Sequence, residues 1–189
     1  AQHQLKIGTV ADLIRFRIQN EKTVERAAES VLATEFGDFR LTVYRDRMHG
    51  DLHIAMARGD IDPEQPTLVR VHILNPFEDL TASVRRDAGW PLRDALRRVA
   101  EAERGVVVVL CNQIPNDELV RQVLNYAQVD SALAPAVGKS ETTPPDWRQI
   151  GLGAQILSDQ GIRKMLVMSN PRKYHALSGF GLEVIEYVR

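Results

Sequence analysis

Two consecutive prolines, Pro144 and Pro145, stop whatever precedes them and leave the chain beyond little freedom in what it can form. Asp146 can cap a helix with Gln149 three residues on as its capping-box partner, and Ile150, Ala154, Ile156 and Leu157 supply an apolar face. A helix is predicted from about Trp147, ending at Gly161. Met165-Leu166-Val167-Met168 is short, apolar and bounded by Ser169-Asn170-Pro171, the pattern of a buried strand. A helix feeding such a strand is one unit of an open α/β sheet, where ligands sit at the carboxyl ends of the strands. Ser169 to Lys173 is therefore the first place to expect a site.

The upstream chain extends this into a single α/β domain, a mixed sheet with flanking helices. Val10 to Phe16 carries apolar residues at helical spacing with Thr9 as a cap, and Val24 to Leu32 again reads as helical. Asp38 to Asp46 alternates in polarity as a strand does, Asp51 to Asp60 reads as its antiparallel partner, and His49-Gly50-Asp51 is hairpin chemistry between them. Thr67 to Ile73 is the next strand. Gly105 to Cys111 is a buried parallel strand fed by an amphipathic helix from Pro91 to Glu103, and Leu182 to Tyr187 is the last. Helices from Pro91, Pro115 and Trp147 are expected to pack on the sheet, with Ser131 to Pro145 a mobile loop. His49 and His53 read as surface or packed histidines rather than metal ligands, and Cys111 as a packed strand-end thiol.

Composition excludes several classes of function. Lys and Arg number 24 against 25 Asp and Glu, so no net charge favours nucleic acid or an anionic membrane surface. No apolar run approaches the ~20 residues of a membrane span, and no signal peptide opens the chain. One cysteine rules out an internal disulfide and fits a reducing cytoplasm. The sequence starts at Ala1 without Met, so a piece of a longer protein is expected.

The words Asp146-Trp147-Arg148, Gln149-Ile150-Gly151-Leu152-Gly153-Ala154-Gln155-Ile156-Leu157 and Ser169-Asn170-Pro171-Arg172-Lys173 resemble the C-terminal half of GTP cyclohydrolase II, a riboflavin-pathway enzyme. That family reads Asp-x-Arg, Tyr-Gly-Ile-Gly-Ala-Gln-Ile-Leu and Thr-Asn-Asn-Pro-x-Lys. Residues 1–22 are similar to the junction in bifunctional riboflavin enzymes, which implies a linker helix from a missing N-terminal dihydroxybutanone phosphate synthase domain, with 23–189 the cyclohydrolase-like domain. In the family, the Arg of Asp-x-Arg is proposed to attack the α-phosphate with the Asp as proton acceptor. The resemblance thus implies Asp146 and Arg148 as a remnant catalytic pair and Arg70, Ser169 and Lys173 as substrate-binding residues.

The resemblance fails where the family holds its zinc. Val69-Arg70-Val71-His72 is kept, but Asn75, Arg86 and Ala88 stand where three cysteines should be. An amide, a cation and a methyl cannot replace three thiolates, so no zinc or magnesium is expected. Leu74 replaces a substrate-binding Glu, Pro91 a Gln, and Gln113 and Pro115 the Glu and Arg of a glycine-rich loop. Without a metal an arginine is a poor nucleophile, so Asp146 is read as an N-cap and Arg148 as an exposed first-turn residue. Three functions follow: a degenerate domain serving assembly or regulation of the synthase, a working GTP cyclohydrolase II with an altered metal site, or a nucleotide sensor without turnover. A homodimer is expected from the preserved folding and association surfaces.

Overall fold

The computed structural model describes residues 16, 21–81, 90–112, 114–129, 147–171 and 177–188. The expected helix at 10–16 and the loop at 131–145 therefore fall almost wholly outside them, as do Asp146, Arg86, Ala88, Gln113 and Lys173. Seven strands form one mixed sheet in the order β1-β2-β3-β5-β4-β6-β7. They are β1 (Val24–Thr34), β2 (Gly37–Asp46), β3 (Leu52–Arg58), β4 (Thr67–Ile73), β5 (Gly105–Leu110), β6 (Lys164–Met168) and β7 (Glu183–Val188). Strands β1, β2, β3 and β5 pair antiparallel in succession, while β5, β4, β6 and β7 run parallel. Four helices are described: α1 (Pro76–Thr81), α2 (Leu92–Glu101), α3 (Asn116–Val129) and α4 (Trp147–Asp159).

Alternation along the strands divides the core in two. Val106, Val108 and Leu110 of β5 face one cluster with Leu152, Ile156 and Leu157 of α4. Val107 and Val109 face the other with Ala95 and Val99 of α2. Covered by a helix on each face, β5 is buried at every residue, which is why it reads as an unbroken apolar run. The connection from β4 to β5 carries α2, and that from β5 to β6 carries α4 over the opposite face. The chain thus reverses direction across the sheet beside β4, the arrangement that leaves a crevice at the strands' carboxyl ends. Gly153 lets α4 come down onto β4, since a Cβ there would meet Val71 Cγ1 at 3.2 Å.

Two expectations are corrected. Val24 to Leu32 is not helical: it is β1, paired along its length with β2. Val24, Ala27, Ala28, Val31 and Leu32 do recur at helical spacing, but the tight turn to Gly37, whose φ is +99°, folds the segment back as a hairpin. As an edge strand with nearly all its side chains exposed, it has no buried face to impose a period of two. Helix α3 begins after Pro115 as expected, but Val120, Val123 and Leu124 are exposed rather than packed on the sheet. The remaining strands, the hairpin and helices α2 and α4 lie where the sequence places them.

Helix α4 also holds the edge hairpin by polar contacts. The Gln155 side-chain oxygen accepts from Thr23 N at 2.8 Å and Thr23 Oγ1 at 3.2 Å, and its amide donates to the Glu21 carbonyl at 3.1 Å. Asp159 accepts from Lys22 Nζ at 2.8 Å, Arg26 Nε at 2.7 Å and Tyr44 Oη at 2.8 Å. Gln160 donates to Thr42 Oγ1 at 3.2 Å and Tyr44 Oη at 2.8 Å. Burial alone would raise the Asp159 pKa, but the bonds from Lys22, Arg26 and Tyr44 hold it down at about 2. Burial, and then the bond to Asp159, pushes Tyr44 up to about 12.

Replacing Gln155 with Ala removes its bonds to Thr23 N and the Glu21 carbonyl; urea denaturation should report a loss of about 1–3 kcal/mol. A carboxylate with a depressed pKa contributes stability above its unfolded value, 3.8 for Asp159, and loses it as pH falls towards about 2. Urea midpoints between those pH values should therefore fall more steeply for the parent than for Asp159→Asn; parallel acid limbs would contradict the ion-pair account.

Candidate functional site

Of the five site residues singled out in the sequence, Arg70 and Ser169 come together between β4 and the end of β6. Arg70, on β4, sends Nη1 to the Met168 carbonyl at 2.9 Å and Nη2 to the Trp90 carbonyl at 3.3 Å. Its guanidinium thus straps the end of β6 to the start of α2. Ser169 follows β6 directly, half-buried, with its hydroxyl donating to the Asn170 carbonyl at 3.1 Å. Arg70 and Ser169 line one cavity of ≈ 220 Å³ between α4 and the sheet, together with Gln149, Ile150 and Gly153.

Arg148 is engaged elsewhere. It sits in the first turn of α4, as expected, but at 39% exposure it is not simply solvated. Its Nη2 donates to Asp46 Oδ2 at 2.9 Å and Asp51 Oδ2 at 3.1 Å, tying α4 to both sides of the β2–β3 turn. Asp46 is almost fully buried. Burial works to raise its pKa, but the Met48 backbone N–H, Arg148 and His49 together keep it below the usual carboxylate range. The structure therefore brings Arg70 and Ser169 together and places Arg148 at the hairpin. Asp146 and Lys173 lie outside the described residues.

Asn75 serves as a helix cap. Asn75 Oδ1 accepts from Phe77 N at 3.1 Å, and its carbonyl accepts from Glu78 N at 3.1 Å and Asp79 N at 2.9 Å. Pro76 occupies the first helical position, where its missing N–H costs nothing. Asp79 reaches back to Asn75 N at 2.9 Å and takes His72 Nε2 on both carboxylate oxygens at 2.9 Å. Leu74, where a Glu would meet substrate, packs instead against the core beneath α2. The short helix α1 escapes the sequence reading, although Asn-Pro followed by Glu78 and Asp79 is a helix-start signal that finds it.

The remaining candidates are packed groups. His53 is buried with Nδ1 accepting from Cys111 N at 3.2 Å, and burial pushes its pKa down, so the ring is neutral. His49 Nδ1 lies 3.2 Å from Asp46 Oδ2. The half-buried Cys111 thiol lies 3.7 Å from the Val109 carbonyl, and burial raises its pKa, the opposite of what a nucleophile needs. No helix among the described residues is long and apolar enough to cross a membrane.

Comparison with known proteins agrees with this geometry. Residues 25–189 match the family described as GTP cyclohydrolase II. A Pseudomonas aeruginosa protein named 3,4-dihydroxy-2-butanone 4-phosphate synthase is 48% identical over 188 residues, covering 100% of this chain and 49% of its own. The Chlorobium phaeovibrioides riboflavin biosynthesis protein RibBA is 38% identical, covering 97% of this chain and 45% of its own. The chain thus spans about half the length of these relatives. Among solved structures, RibBX from A. baumannii, a two-domain 3,4-dihydroxy-2-butanone 4-phosphate synthase, aligns with a TM-score of 0.60 and 34% identity over 100% of this chain and 46% of its own. The fold and the matched sequence together place this chain in the GTP cyclohydrolase II family.

Proposed function

We propose that this is a degenerate GTP cyclohydrolase II domain of a riboflavin biosynthesis protein, without the zinc site, serving the assembly or regulation of an attached dihydroxybutanone phosphate synthase. The observation that carries the reading is Asn75: the residue at the first thiolate position caps α1 with its side-chain oxygen. The neighbouring donors do not fit zinc either, because His72 Nε2 and the Asp79 carboxylate already satisfy each other. By sequence, Arg86 and Ala88 complete a set of a cation and a methyl.

What the domain's own residues do is hold structure. Arg70 joins β6 to α2, Arg148 joins α4 to the hairpin, and Gln155 reads the backbone entering β1. Both arginines that the resemblance assigns to catalysis and substrate binding thus carry structural bonds, which argues against turnover and against nucleotide sensing. Two relatives at 48% and 43% identity are named for the synthase reaction alone, which supports the same reading. Residues 1–22 serve as the linker helix from the synthase, 23–189 as the domain, and two copies associate as a cytoplasmic homodimer. Asp146 is then an N-cap, and Ser169 and Lys173 are remnants of a nucleotide site.

The test is formate release from GTP by the purified full-length protein, together with its zinc content. The expected result is formate at background and far less than one zinc per chain. Restoring Cys at positions 75, 86 and 88 alone should not create activity while Leu74, Gln113 and Pro115 remain. Removing residues 23–189 from the full-length protein should lower synthase activity or stability, and light scattering of the parent should give a dimer. Formate above background, or a synthase unaffected by the deletion, would overturn the reading.

A further inference from the structure

Helix α3 is turned inside out. Val120, Val123 and Leu124 stand at the i, i+3, i+4 spacing of a packing stripe and are exposed, whereas Gln122 faces inward with its Oε1 buried and unpartnered. Glu118 and Arg121 pair with each other, which leaves the stripe neutral. Exposing aliphatic groups while burying a lone amide oxygen costs free energy on both counts, so a helix with only water outside it settles the other way round. The orientation is accounted for once a second body covers the stripe.

The stripe belongs to a wider apolar edge. His53 pairs with Leu110, and Asp46 N donates to the Asp51 carbonyl at 2.8 Å, so the β2–β3 turn stands at the carboxyl end of β5, from which α3 departs. Met48 and Leu52 are exposed at that turn, and Leu80 of α1, which follows β4 at the same end, is 85% exposed. The connections at the opposite edge expose Asp60, Asp62, Glu64 and Glu103 instead. A run of large apolar groups along one edge marks an interaction surface.

The chain comes into β1 at this same edge. Arg47 N, in the β2–β3 turn, donates to the Thr23 carbonyl at 2.8 Å, while Gln155 holds Thr23 N and the Glu21 carbonyl, so residue 21 is fixed beside that turn. A domain joined through residues 1–22 is therefore tethered where the apolar edge begins, and a short tether keeps it at a roughly millimolar effective concentration. The relatives at 48% and 43% identity are each 49% covered by this chain, so their other half is a body of similar size. We propose that Met48, Leu52, Leu80 and the outer stripe of α3 form the docking surface for the synthase half of the same chain, which meets them with an apolar face of its own. This rests on the reading of residues 1–22 as the linker from that half.

The experiment puts the photocrosslinking residue p-benzoylphenylalanine in place of Val120 or Leu124 in the full-length protein, with Glu103 at the opposite edge as the control position. Illumination should join positions 120 and 124 to peptides of the synthase half at monomer mass, and position 103 to none of them. Adducts from 120 and 124 confined to residues 130–146, adducts only at dimer mass, or equal yields from position 103 overturn the proposal. In the full-length protein, Val120→Glu combined with Leu124→Lys should speed tryptic cleavage within residues 1–22 several-fold, with the circular dichroism spectrum unchanged; a folded variant cleaved no faster than the parent also overturns it. Formate release stays a separate measure: formate above background with the crosslinks intact sinks only the degenerate reading, and background formate without crosslinks to the synthase half sinks only the docking surface.

Discussion

Helix α4 is held to the sheet by two kinds of force, and the rest of the structure depends on both. Apolar burial of Leu152, Ile156 and Leu157 against β5 fixes its position over the parallel strands, with Gly153 allowing the close approach to Val71. That packing is non-directional and would tolerate sliding. The polar contacts at the helix ends would not: Arg148 grips the β2–β3 turn, while Gln155, Asp159 and Gln160 grip β1 and β2. A helix between two parallel strands thereby also secures an antiparallel hairpin whose edge strand buries little of its own surface. Since β1 has few apolar contacts to hold it, the ion pairs on Asp159 and the Gln155 bonds carry more weight than surface polar contacts ordinarily do.

The same economy holds the turn after β4. The turn that follows β4 needs partners for its backbone. Asn75 provides one by capping α1, and Asp79 locks the turn to His72 on β4. Arg70 and Arg148 each join two elements. Residue identity within a motif is thus weak evidence of chemistry when the structural bond is enough to account for the residue.

The legible parts of the sequence were those where local signals agree with tertiary demands. Prolines, glycines and an apolar face bracket α4, and five buried residues in a row from Val106 make β5 unmistakable. Strand β1 was illegible because its apolar residues repeat at helical spacing and its pairing lies in the neighbouring strand. Helix α1 was too short for periodicity, although Asn75-Pro76 announces it. The partners of Arg148 are 102 and 97 residues away and those of Gln155 more than a hundred, distances at which nothing local specifies contact. Arg70 and Ser169 line one cavity, and the paired state of Arg148 needed three dimensions.

The central claim of the proposed function is that this scaffold stands without a metal, the turn after β4 being held by a helix cap and a His72–Asp79 pair. Thermal unfolding of the full chain, followed by circular dichroism after exhaustive chelation and again after adding back zinc, tests it most directly. The account predicts midpoints that agree within about 2 °C, under 1 kcal/mol for a chain of this size. A midpoint that falls by more than about 4 °C on chelation and returns with zinc would contradict it.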